Sequence, residues 1–166
     1  QIKDYTYLLE KEKAETSQEL LRNIAFQRNL IESSMDGILA CDEKGIILTF
    51  NRSMEKMLGY AKAEALHKKA FRQFFSSGEH ERFQQELSNN MYGGEDRLVL
   101  YETRLLDKSG HEIPVQVSAA LLFDQDRENG LVCFFRDLRE IRKLEREISD
   151  QARILHQDKM MSLGRL

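Results

Sequence analysis

The side chains able to do chemistry are few: four histidines, two cysteines, and no glycine-rich motif of the kind that cradles nucleotide phosphates. His67 precedes Lys68 and Lys69 and reads as exposed. His111 falls at a hairpin turn, and His156 sits on a polar helix flank. His80 lies between Glu79 and Glu81 at the start of a helix pattern, where a lone imidazole is usually solvated. Cys41 and Cys133 occur inside apolar, strand-like runs rather than at disulfide or metal spacing. Their plain role is that of small buried apolar residues. No metal centre is expected.

A binding pocket is the better candidate for chemistry. Ile113, Val115, Val117, Ala119, Leu121 and Phe123 alternate to give one apolar strand face, with Ala119 leaving room. A neighbouring strand presents Val99, Tyr101, Thr103 and Leu105, so Tyr101 and Thr103 would direct polar tips to the same side. Apolar walls with a few polar groups build small-molecule sites, and they also build ordinary filled cores. The pattern allows either.

The elements that hold these residues fall into three zones. Residues 1–34 contain no Gly or Pro and are rich in helix formers, so a long, partly exposed helix is expected. Leu20, Leu21, Ile24, Arg28 and Ile31 follow the spacing of a coiled-coil seam. Residues 138–166 behave likewise. There Ile141, Ile148 and Leu155 recur every seven residues, with Leu144 and Gln151 between them. Lys143–Glu147 and Arg146–Asp150 have favourable i,i+4 spacing on the outside.

Residues 35–137 change character: glycines punctuate short β-rich runs. Gly37–Cys41 and Ile46–Phe50 flank a turn at residues 42–45, and Arg97–Leu106 and Glu112–Phe123 flank another at 107–110. Leu131–Phe135 makes a fifth strand. Arg52–Leu58, Lys62–Lys68 and Glu79–Tyr92 read as helices between the second and third strands. The order predicts an α+β fold, an antiparallel sheet with helices gathered on one side. Most strands are apolar on both faces, so a second cover is expected from the N-terminal helix or another subunit.

Composition narrows the function classes. The chain has 166 residues, 41% hydrophobic and 32% charged, with net charge -3. That suits one domain and gives no electrostatic footprint for nucleic acid. No apolar run approaches the ~18–20 residues of a membrane span. The polar N-terminus does not read as a secretory signal. A cytoplasmic setting is expected.

The runs Leu30–Ile38, Asp42 to Ile47, Asn51 and Leu58–Tyr60, then Asp107–Val115 and Phe135–Leu138, together resemble a PAS domain. The tail His156–Leu166 resembles the start of the dimerisation helix of bacterial histidine kinases. The resemblance implies a five-stranded PAS sheet and a parallel homodimer. It also implies a parent that phosphorylates its own histidine from ATP and passes the phosphate to a response regulator. The acceptor histidine is then expected beyond Leu166, which leaves His156 a surface residue and this chain without catalysis of its own.

By the same resemblance the inner strand faces look toward helices carrying Met57, Phe74, Phe83 and Leu87. Tyr101, Thr103, Val117, Ala119, Met57 and Phe83 are the expected pocket. PAS exits usually place Thr or Ser two residues after an Asp, whereas here Asp137 is followed by Leu138 and Arg139. Arg139 could supply a charge-assisted contact instead, and the pair is the expected signal coupling. The expected dimer seam is Leu21, Ile24, Ile31, Ile141, Leu144, Ile148 and Leu155. Two other readings stand beside sensory control: a dimerisation spacer that senses nothing, and a haem sensor through His80 or a redox sensor through a Cys41–Cys133 bridge. No cofactor is assigned, and a small-molecule ligand is left open.

Overall fold

The computed structural model describes residues 2–89 and 96–164. Helix α1 (Ile2–Ser33) leads into β1 (Gly37–Asp42) and β2 (Ile47–Phe50). Helices α2 (Arg52–Leu58), α3 (Lys62–Ala65) and α4 (Glu79–Ser88) follow, with a 3-10 turn at Phe71–Phe74. Then come β3 (Arg97–Leu106), β4 (Glu112–Asp124), β5 (Arg127–Asp137) and α5 (Arg139–Gly164). The five strands form one antiparallel sheet in the order β2-β1-β5-β4-β3. The expected α+β architecture is present, with both long helices.

The core lies on one face only. Leu39, Cys41, Leu105, Val115, Val117, Cys133 and Phe135 from the strands pack against Met54, Leu58, Phe74 and Phe83 from the helices. The sequence expectation of a second cover fails within this chain. Neither α1 nor α5 has a buried residue. On the opposite face Phe134 and Leu122 stay 44% and 42% exposed. Long, polar helices with narrow apolar stripes cannot cover a broad sheet face.

Several boundaries differ for local reasons. Helix α3 stops at Ala65 rather than Lys68, because Leu66 turns extended and the His67 N–H donates to Ile47 O in β2 at 2.9 Å. Helix α4 stops at Ser88, with Asn89 extended. The remainder of the expected Glu79–Tyr92 helix lies outside the described residues. Strand β5 begins at Arg127, since Gln125 and Asp126 both adopt positive φ (50° and 64°) and close a two-residue hairpin with β4. That turn chemistry normally selects Asn-Gly, so the sequence hid it. Strand β3 carries a bulge between Leu98 and Tyr101, where Leu100 has φ 56°. The extra residues turn Val99 to solvent and put Leu98 on the inner face instead. Finally, Asp150 pairs with Arg153 rather than Arg146, and no Lys143–Glu147 pair occurs among the described residues.

Candidate functional site

Helices α1 and α5 are rooted at the same end of the sheet, because β1 starts where its neighbour β5 finishes: Gly37 pairs with Phe135. One register step further out, Arg136 Nε stands 3.5 Å from Asp36 Oδ1, so an ion pair spans the two roots.

The entry is held by Asn51, which is fully buried. Its Oδ1 accepts from Ile38 N at 2.9 Å and from Met54 N at 3.1 Å, capping α2. Its Nδ2 donates to Ile31 O in α1 at 2.7 Å and to Asp36 O at 3.1 Å. Every polar atom of this amide is therefore used, and the last turn of α1, the start of β1 and the start of α2 share one anchor. Around it, Glu32 accepts from Arg52 N and pairs with Lys62, and Ser53 Oγ donates to Ser34 O. Sequence reasoning quoted Asn51 within a motif but gave it no role in coupling. A polar residue between a strand and a helix signals a cap; only the fold shows that it also reaches α1.

The exit is held by residues 137–142. Arg139 forks the Asp137 carboxylate through Nε and Nη2 at 2.6 to 3.1 Å, and its backbone N–H donates to Asp137 Oδ1. The carboxylate's hydrogen bonds push the Arg139 pKa up against partial burial. Leu138 is buried and donates to Pro114 O, while Arg142 reaches Glu102 on β3. Beyond these contacts α5 leaves the domain. Ile141, Leu144, Ile148 and Leu155 on α5 are exposed, as are Leu21 and Ile24 on α1, and Ile31 is half-buried.

The six expected pocket residues occupy the inner face but do not gather round one opening. Met57, Val117, Ala119 and Phe83 are buried in the core. Thr103 donates to the buried Glu79 carboxylate at 2.9 Å, and half-buried Tyr101 packs on Phe83. Burial acts to raise the Glu79 pKa, but hydrogen bonds from Thr103 and Arg104 outweigh it and hold the carboxyl below its ordinary value. This link between α4 and β3 had no sequence signal beyond a charge at a helix start.

An open cleft of about 420 Å³ lies elsewhere, between α4, the β1–β2 turn and the β4–β5 end of the sheet, and takes only Phe83 from the expected set. His80 lines it, half-buried rather than solvated, edge-on to Phe71 at 5.9 Å. Burial lowers its pKa. Cys41 also lines it, and burial pushes that thiol up to about 11. Burial also raises the Cys133 thiol well above its ordinary value. Cys41 stands opposite Leu131 and Cys133 opposite Leu39, so the thiols are diagonal neighbours. Diagonal Cα atoms lie about 7–8 Å apart, past the ~7 Å reach of an unstrained disulfide. Protonated, buried and badly spaced, the pair is poorly built for a redox bridge.

Among the described residues no helix is long and apolar enough to cross a membrane, and no cluster of three or more potential metal ligands occurs.

A model of the PAS fold matches residues 25–138, more than half the chain. Among solved structures, the PAS domain of an HTR-like protein from Haloarcula marismortui is 22% identical, with TM-score 0.59, over 75% of this chain and 98% of its own. A PAS domain from Colwellia psychrerythraea is 21% identical, with TM-score 0.60, over 70% and 98%. A PAS domain from a two-component sensor histidine kinase is 19% identical, with TM-score 0.55, over 72% and 98%. No curated protein matches.

Proposed function

Because the chain belongs to the PAS-fold family, we propose that it is the signal-transmitting input module of a histidine kinase, acting as a parallel dimer through the geometry of α1 and α5. The PAS domain is a non-catalytic signalling module, so the output must leave through its helices. The observation that carries the reading is the common root: α1 ends and α5 begins at one end of β1 and β5, clasped by Asn51 and by Asp137–Arg139, with their apolar stripes uncovered.

Such helices are marginal alone, since tertiary packing supplies most helical stability. A second copy in parallel brings both stripes onto one two-fold axis. A shift of the sheet end would then alter the rotation or register of α5. Two arrangements that differ by a few kcal/mol make a usable switch, and Gln151 weakens the seam enough to allow one. The kinase assignment is supported by the tail at His156–Leu166 and by the fold shared with the kinase-derived PAS domain. The other assignments carried by the reading are a response regulator as downstream partner and a cytoplasmic site.

The test is made in the parent kinase. Inserting seven residues after Leu144 preserves heptad phase and is expected to preserve regulation, whereas inserting four is expected to disturb it. Equal behaviour of the two insertions in an autophosphorylation assay would remove the mechanism.

A further inference from the structure

An open groove of about 520 Å³ runs between the last turns of α1 and the β2–α3 side of the domain. Its helix wall carries Ile24, Arg28 and Ile31, the residues whose spacing marks a coiled-coil seam. Its other wall carries Leu48 on β2, an edge strand of the sheet, and Leu66 just past α3. The seam of α1 therefore does not look into open solvent. A helix that pairs with this seam must enter the groove and meet the sheet edge as well.

Polar contacts at the root hold the two walls apart. Glu32 on α1 pairs with Lys62 at the start of α3 and accepts from Arg52 N. Asn51 and Ser53 fix the neighbouring backbone through Ile31 O and Ser34 O. These bonds set the angle between α1 and β2, so the walls do not collapse onto each other. Their apolar groups stay in water within one chain: Ile24 is 44% exposed and Leu48 47%. The β2 backbone at Ile47 is already bonded to Lys69 O and His67 N, which leaves side chains to make the contact.

We infer that the groove receives α1 of a second copy, so that each α1 lies between the α1 and the β2–α3 edge of the other chain. The wall asks for a helix with apolar residues at heptad spacing, and α1 is such a helix. A groove whose own wall is the element that another copy needs is self-complementary, which is the condition for a two-fold contact. Arg28 can lay its stem along the groove and keep its charge in water. The inference rests on the dimer reading above and adds to it a sheet contact: Leu48 and Leu66 of one chain touch the helix of the other. The sheet edge of each copy then bears directly on the entry helix of its partner.

The experiment is sedimentation equilibrium of residues 1–166 as wild type, Leu48→Glu and Leu122→Glu, with circular dichroism to confirm that each is folded. Leu48 lies outside both helices, and Leu122 is an apolar control of similar exposure on the uncovered sheet face. Leu48→Glu is expected to raise the dimer dissociation constant by more than about tenfold, because each dimer loses the apolar contact twice. Leu122→Glu is expected to leave it unchanged. Leu48→Ser, which adds no charge, replaces Leu48→Glu in the comparison if the latter does not fold. A wild-type dimer that Leu48→Glu leaves intact would overturn the groove contact while the paired helices stand. Equal weakening by Leu122→Glu would overturn it in favour of the open sheet face. A wild-type monomer would overturn the groove contact and the dimer reading together.

Discussion

The Asn51 amide donates to the Ile31 carbonyl at 2.7 Å, and this bond ties the last turn of α1 to the residue that links β2 to α2. Because the same side chain caps α2 and receives Ile38 N, α1 cannot turn about its axis without disturbing a buried polar node. Buried networks that are fully satisfied rigidify; partly satisfied ones are costly.

Asn51→Ala is therefore expected to destabilise the domain by about 2–4 kcal/mol, combining a lost cap with orphaned backbone groups. Urea unfolding followed by circular dichroism measures it. A loss below about 1 kcal/mol would mean that water replaces the amide and that the anchor is dispensable.

Arg139→Ala should do the opposite. Its ion pair with Asp137 is half exposed, and such pairs contribute ~0–1 kcal/mol. The domain should keep its melting temperature while the parent kinase loses signal response. A large drop in stability with normal regulation would make the pair structural instead of coupling.

The helices are expected to dimerise. Residues 1–166 should sediment as a dimer at roughly tens of micromolar, since the apolar seams bury only against a second copy. Ile24→Glu with Ile148→Glu should give a monomer whose sheet signal is unchanged. A wild-type monomer under these conditions would count decisively against the paired-helix mechanism.

Two groups give separate acid limbs. His80 has a folded pKa below its ordinary 6.5, mainly through burial, so it contributes stability above that pH and loses it as pH falls toward the folded value. Glu79 is also lowered, from 4.5: burial opposes the shift and the hydrogen bonds from Thr103 and Arg104 prevail. Its contribution is present above pH 4.5 and is lost as pH falls through the folded pKa. His80→Gln should flatten the stability profile just below pH 6.5, and Glu79→Gln only the limb below pH 4.5. Melting curves across this range would show whether the limbs separate.

Gly130→Ala should cost far more than Gly37→Ala. The new Cβ at Gly130 meets the Cys41 carbonyl at 2.3 Å, which is sheet backbone and cannot give way. At Gly37 the obstacle at the same distance is the thioether of Met54, a flexible side chain. Losses of about 3 kcal/mol and about 1 kcal/mol are expected. Equal losses would show that the β1–β5 pair can separate locally.

What the sequence determined by itself was whatever local chemistry dictates. Alternation fixed β3 and β4 within a residue or two, and glycine turns fixed the hairpins at 42–45 and 107–110; the absence of Gly and Pro announced α1, and the seven-residue recurrence of Ile141, Ile148 and Leu155 announced α5. Where local signals conflict with distant partners, tertiary structure decided. Ile47 drew the His67 N–H and shortened α3; the bulge at Val99–Leu100 reassigned a strand face; Gln125–Asp126 made a hairpin without glycine. The candidate sites belong to this second class. Asn51 meets Ile31 across twenty positions, Arg136 meets Asp36 across a hundred, and His80 and Arg72 share a cleft with the β1–β2 turn. Periodicity reports which face a residue takes, but a hydrogen bond or a cavity depends on which faces meet, and only the closed fold sets that.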